Sequence, residues 1–404
     1  MNPPTSRRSF LQTVGIGSLS AVAAGGLPGT AEAQAPDAKI LGAAGVKTSA
    51  RPKGVWKPVS ERKIRVGIVG YGVCRFGAQF GFQDHPNVTV AAVSDLFPDR
   101  CSELAKQCRC AKTYPSLEEL IKDDSLEAVF VATDAPSHAK HCIDVLKHGK
   151  HVATAVPAVF GSVENAYKLL ETVKQSGRKY MMFETSAFHE DCYAMRQIYR
   201  AGGFGKIIYA EGEYMHHMSV PIPSFRNWRF GIPPLWYPTH STAYYVAVTD
   251  GSFTEVSCMG MPSLLKEFRK PENNQYGNVF GSEIALLRTS EGGMTRMAVS
   301  WDTPGPTGEV GRLRGQFGSM WNAPYEGEMK KLPNLDRPPL PPSVTPGGHG
   351  GSHGPLMNEF VTAILEDRKP LVDIRLALNM TVAGVVAHQS AQKNGELLKI
   401  PQFA

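Results

Sequence analysis

What the 404 residues lack narrows the field before any motif is read. No run is long and apolar enough to cross a bilayer as a helix, for which about 20 apolar residues are needed. Charge of one sign is scarce. The 43 Lys and Arg against 37 Asp and Glu leave +6, spread along the chain rather than gathered into the basic patch of a nucleic-acid surface. Cysteine is sparse and follows no pairing pattern: there are seven, an odd number. Cys101, Cys108 and Cys110 lie close together, but no C-x-x-C pair repeats, so buried thiols are expected and neither a disulfide framework nor a metal centre. The rest of the composition is that of an ordinary globular chain, long enough for two domains with sizeable cores.

The stretch from Lys63 to Asp95 organises what is there. An apolar strand, Ile64 to Val69, reads as a central parallel strand buried on both faces. Gly70 and Gly72 turn the chain into a helix expected over Cys74–Gln83, and a second strand, Val88 to Val93, ends at Asp95. Strand, glycine turn, helix, strand and acid form the dinucleotide-binding fingerprint. The expected cofactor residues are therefore Gly70, Tyr71, Gly72, Val73, Cys74 and Arg75 around the pyrophosphate, with Asp95 accepting from the adenosine ribose hydroxyls. A carboxylate there repels a ribose phosphate, which favours NAD over NADP. One part is missing: where the third glycine of G-x-G-x-x-G belongs stands Arg75, with Gly77 two residues later.

Ahead of this stretch, residues 1–33 read as a twin-arginine export signal. Ser6-Arg7-Arg8-Ser9-Phe10-Leu11-Gln12 is followed by a mildly apolar Gly/Ala-rich stretch and a small-residue cleavage site ending at Ala33. Such signals export folded proteins through the twin-arginine machinery to the periplasm, which offers no useful pool of NAD. The signal and the fingerprint together imply a cofactor loaded before export and tightly held. Residues 34–60 read as an extended arm, on a neighbouring subunit or as a linker. Beyond Asp95, alternating strand and helix signals continue: a helix over Pro98–Cys108, a strand over Leu126–Ala132, a helix over Ala139–Lys147 and a strand over Lys150–Ala153. They specify an α/β Rossmann domain over 61–184 with a doubly wound parallel sheet. Loops at the carboxyl ends of its strands place Thr133, His138 and Pro157 on the same rim as Gly70 and Asp95.

These features, with A-T-x-x-P-S-H at Ala132–His138 and H-G-K-H-V at His148–Val152, resemble the Gfo/Idh/MocA oxidoreductases. The resemblance implies a second α/β domain, 185–404, with a large, open, mostly antiparallel sheet covering the nicotinamide, a last helix packed back on the first domain, and homo-oligomers. The family's Glu-Lys-Pro is replaced by Ala155-Val156-Pro157, and Val156 can neither donate nor accept a proton. E-G-E-Y-x-H at Glu211–His216, N-W-R at Asn227–Arg229, Y-P-T-H at Tyr237–His240 and the loop Gly347–His353 resemble the branch of NAD-dependent glycosidases of the α-N-acetylgalactosaminidase type.

Loss of a hydroxyl proton as its carbon gives up a hydride requires a base whose pKa can approach neutrality. His240, in a loop expected on the substrate face, is the candidate, with Tyr214, His216 and Tyr237 as hydrogen-bonding partners. Trp228 and Trp236 offer faces for a sugar. His349 and His353, set among glycines, read as a polar substrate loop that contributes His353. The expectation is an exported oxidoreductase that acts on a sugar hydroxyl with bound NAD. Redox-assisted glycoside hydrolysis and a non-catalytic nucleotide-binding protein are the alternatives.

Overall fold

Two sheets, one parallel and one mostly antiparallel, carry the chain in the computed structural model, which describes residues 55–305, 308–321 and 324–403. The predicted export signal and residues 34–54 of the predicted arm lie outside the described residues. Residues 55–60 pack on their own chain: the Asn87 side-chain amide donates to the Ser60 carbonyl at 2.6 Å, and Trp56 sets its edge to His85.

The first sheet comprises β1 (Ile64–Val69), β2 (Val88–Ser94), β3 (Thr113–Tyr114), β4 (Ala128–Val131), β5 (His151–Thr154) and β6 (Tyr180–Met182). Its order is β3-β2-β1-β4-β5-β6 and every pairing is parallel. Strands β4, β5 and β6 are buried along almost their whole length, as strands covered on both faces must be. Helices cover both faces of such a sheet. The Val163–Ser176 helix shows how locally they are specified. The Ser162 side chain accepts from the Asn165 amide at its start, and Gly177 takes a left-handed conformation at its end.

The second sheet takes β7 (Ile207–Met215), β8 (Phe253–Pro262), β9 (Phe280–Thr289), β10 (Met294–Ser300), β11 (Gly308–Gly315), β12 (Gly318–Trp321), β13 (Glu326–Gly327) and β14 (Leu398–Lys399). Its order is β13-β12-β11-β7-β10-β9-β8-β14, antiparallel except between β7 and β10. The Thr239–Thr249 helix, buried at every residue, and the Ile374–Ala391 helix cover one face of this sheet. The second of these also packs against the Val163–Ser176 helix and β6 of the first sheet.

One expected element is different. The helix after the glycine turn is only Phe76–Gln79, followed by a 3₁₀ turn at Phe82–Asp84, with Gly81 in a left-handed conformation between them. The third glycine's task is nevertheless performed. A Cβ on Gly77 would collide with the Gly70 carbonyl oxygen and press on Ile68, so Gly77 permits the close seating of this turn on the strand.

Candidate active site

The ends of β1, β2 and β4 open onto a crevice of about 410 Å³. Its wall includes Gly70, Gly72, Val73, Cys74 and Arg75 from the first turn, Asp95 after β2, Thr133 after β4, and Trp228 and Arg229 from the second half of the chain. A Cβ on Gly72 would meet nothing within 4 Å, leaving backbone open to a bulky ligand. Arg75, held in a left-handed conformation, supplies a cation where phosphates would lie. Asp95 is fixed in orientation: one carboxylate oxygen accepts the Tyr71 amide at 2.7 Å and the other the Phe97 amide at 2.9 Å. Each oxygen keeps a lone pair for a ribose hydroxyl. The residues present therefore suit a dinucleotide with an unphosphorylated ribose.

Beside this crevice lies a buried cluster of imidazole and carboxylates. His240 is the second residue of the Thr239–Thr249 helix rather than part of a loop. Its Nδ1 lies 2.8 Å from Glu184 Oε1 and 3.7 Å from Glu309 Oε2. Glu184 lies two residues past the end of β6, and its Oε1 also accepts the Ser186 amide. Glu309, on β11 opposite Tyr214 of β7, accepts the Ser186 hydroxyl at 2.7 Å and the Thr185 hydroxyl at 3.2 Å. Burial alone would lower the His240 pKa, but Glu184 and Glu309 raise it to about 9. Burial works the other way on Glu309, yet the His240 and His189 imidazoles and the Ser186 hydroxyl hold it below its ordinary value. Glu184, His240 and Glu309 could also hold a metal ion, because their ligand atoms lie within 4.8 Å of one another. The Ser186 and Thr185 hydroxyls both donate to Glu309 Oε2, whereas Glu184 Oε2 is buried without a partner among the described residues.

Aromatic rings enclose His240. Tyr214 lies 4.6 Å from it and Tyr237 5.7 Å, centroid to centroid. Burial raises the Tyr214 phenol well above its usual range and pushes Tyr237 up to about 12, so both stay protonated and act as donors. His216, just past β7, sets its ring 5.8 Å from Tyr214; burial lowers its pKa, and its Nδ1 is buried without a partner among the described residues. Neither Tyr214, Tyr237 nor His240 lines the crevice wall. Arg229 connects the two regions. It lines the crevice, donates to Cys74 Sγ at 3.6 Å, stacks on Trp228, and its charge acts on both Tyr214 and Tyr237.

Several expected site residues sit elsewhere. Tyr71 is buried and serves the crevice through its backbone. His138 and Pro157 are not on the wall: a His138 ring nitrogen meets the Pro157 carbonyl at 2.9 Å, so the imidazole ties two loops together beneath the rim. Trp236 packs against Phe160, Tyr276 and His388, away from the crevice. His353 is buried, its ring engaged by the Gly348 amide and the His349 ring and also by the Gln79 backbone. Glu184, Glu309, Ser186, His189 and Arg229 were not singled out from sequence. The rule that ligand groups follow strand ends bears on Glu184, two residues past the end of β6. Glu309 carries no such signal, because only strand pairing brings it to His240.

Taken together, fold and crevice define a nucleotide-binding doubly wound domain joined to an open-sheet domain. Residues 64–184 match the model of the Gfo/Idh/MocA family, described as an oxidoreductase family with an NAD-binding Rossmann fold. Over those residues the chain is thus similar to the NAD-binding domain of the Gfo/Idh/MocA oxidoreductases. A glycosyl hydrolase family 109 protein of Streptomyces niveus is 25% identical, over 84% of this chain and 77% of its own length. Another of that name from Solibacter usitatus is 23% identical over 99% of this chain and 97% of its own. Among solved structures, an oxidoreductase domain protein from Kribbella flavida superposes with a TM-score of 0.67 at 18% identity, covering 84% of this chain and all of that one. Levoglucosan dehydrogenase in complex with NADH and levoglucosan gives 0.67 at 16% identity, with the same coverage.

Proposed function

We propose that this protein is an NAD-dependent oxidoreductase acting on a hydroxyl of a sugar or sugar derivative, with the cofactor retained through turnover. The observation that carries the reading is His240 held between Glu184 and Glu309 beside an NAD crevice. NAD, when bound, takes the hydride from a carbinol carbon and returns it to a ketone. His240 handles the accompanying proton, in place of the lysine that Val156 cannot supply. As an imidazolium it returns a proton to a ketone oxygen, and as neutral imidazole it takes one from a hydroxyl. Glu184 orients the ring, and the Tyr214 and Tyr237 phenols, kept protonated, donate to the reacting oxygen. Trp228 offers an aromatic face beside the crevice.

The relatives named glycosyl hydrolase family 109 favour a second outcome from the same site. Oxidation of a ring hydroxyl acidifies the neighbouring C–H, the aglycone is eliminated, water adds, and the ketone is reduced again. The net reaction is glycoside hydrolysis with no cofactor consumed, which suits an exported enzyme with no external oxidant. Export rests on the twin-arginine sequence at Ser6–Gln12. Incubation with nitrophenyl glycosides, with and without added NAD, separates the outcomes. Nitrophenol release over many turnovers without net NADH marks the hydrolase, and reduction of the bound NAD, at most one per chain, without release marks the oxidoreductase. Neither signal across a broad panel would count against both and favour a non-catalytic nucleotide binder.

A further inference from the structure

The loop Gly347–His353 holds two imidazoles with opposite surroundings. His353 is buried, its ring 4.5 Å from that of Phe80, whereas His349 is exposed. The backbone is bent out of its ordinary range to achieve this: φ is +79° at Gly347, +46° at His349, +63° at Gly350 and +73° at Gly351. A non-glycine residue in the left-handed region costs conformational energy and persists only where surroundings impose it. Here they do. Arg337 donates to the carbonyls of Gly351 and Phe188 and so ties the loop to the residue preceding His189. A Cβ on Gly348 would press on the His353 ring, and one on Gly350 on the His189 ring. The glycines make room for imidazoles on both sides.

The Gly348 amide and the His349 ring favour one placement of the protons, with the Gln79 carbonyl a further acceptor for the His353 ring. The Gly348 amide can only donate, and it points at His353 Nδ1 at 3.3 Å. A neutral His353 therefore carries its proton on Nε2, which lies 2.9 Å from His349 Nδ1. His349 Nδ1 must accept, so its own proton is on Nε2. Burial holds His353 down to about 4. His349, though its residue surface is exposed, has a ring partly shielded against Phe76 and the neighbouring histidines, which lowers it as well, consistent with two neutral rings. His349 lies between the regions already described: its ring is 5.6 Å from Phe76 of the crevice wall, and the charges of Glu309, His240, Glu184 and His189 act on it.

We propose that His349 is a substrate-contacting donor. Its Nε2–H is set by the relay from the Gly348 amide through His353, and it hydrogen-bonds a sugar oxygen next to the carbon that reacts, while His353 is a positioning residue. The substrate half rests on the sugar oxidoreductase reading above; the relay does not. Histidine-selective ¹⁵N labelling of the mature chain, with His349 assigned by its loss in His349→Ala, reads the tautomer directly at neutral pH. The expected result is Nε2–H for both His349 and His353 in the unliganded protein. His353→Phe should leave NADH binding unchanged, let His349 populate both tautomers, and lower kcat/KM about 10-fold. His353→Gln, whose amide N–H can replace Nε2–H, should restore both. His349 found as Nδ1–H or as imidazolium would overturn the relay. An unchanged kcat/KM in His349→Ala, with the tautomer as expected, would overturn the substrate contact. A wild type inert on every sugar while the tautomers are as expected would instead sink the functional reading and leave the relay standing.

Discussion

His240 sets the expected pH behaviour of the chemistry. With a pKa raised to about 9, the ring is charged at neutral pH and must lose its proton to accept one from a hydroxyl. Oxidation of a sugar by bound NAD should therefore speed up as pH rises toward 9. Glu309→Gln removes one of the two charges that stabilise the imidazolium, so the inflection should move to lower pH; pre-steady-state rates over a pH series test both. The same shift bears on stability. Because the folded-state pKa lies above that of free imidazole, the contribution is complete below about pH 6.5 and is lost as pH climbs through 9. At the crevice, Asp95→Ser should relax the choice of cofactor. Removing the carboxylate ends its repulsion of a 2′-phosphate, and Arg100 on the same wall can then pair with that phosphate. Fluorescence titration should show the NADH preference over NADPH falling by roughly 1–3 kcal/mol, about 10- to 100-fold. Of these residues, Asp95 and His240 were legible because short motifs carried them. Glu184 follows a strand end that carries no motif of its own, and Glu309 reaches the site through a pairing that no local pattern encodes.

The elements explain the rest of what was and was not legible. Alternating apolar strands and capped helices made the parallel sheet readable, since each unit obeys its own period. The Thr239–Thr249 helix was not readable. It is buried all round and shows no polar face, so the period that marks a surface helix is absent and its start read as a loop. Its seat depends on a close approach: a Cβ on Gly212 of β7 would collide with the Ser241 carbonyl in the first turn. Gly212→Val should push the helix, and His240 with it, off the sheet. A loss of about 3 kcal/mol in denaturant unfolding is expected, with activity lost even where the protein stays folded. The helix after the glycine turn was over-read because its apolar residues continue past Gly81, where the left-handed backbone interrupts it. At four residues it offers little dipole, so Arg75 and the amides of the turn carry most of the attraction for phosphate.

Among the described residues, one face of the second sheet is left uncovered by helices. On β8 and β9, Met259 pairs across from Ile284, and Ile284 and Leu286 are about half exposed on the same side of the second sheet. Met261 and Met294 extend the patch. Exposed apolar surface on an open sheet supports self-association through that face. Ile284→Arg combined with Leu286→Arg should lower the mass seen by light scattering to that of one chain, without loss of helical signal. Export with a loaded cofactor has its own test: protein recovered from the periplasm should release stoichiometric NAD on denaturation. If His240 moves the proton while NAD moves the hydride, single-turnover mixing of NAD-loaded enzyme with a reactive sugar or nitrophenyl glycoside separates the two. The absorbance of reduced nicotinamide should rise in the wild type. In a His240→Ala variant that still binds NAD it should rise roughly 10²–10⁴-fold more slowly. Reduction at the wild-type rate in that variant would contradict the assignment.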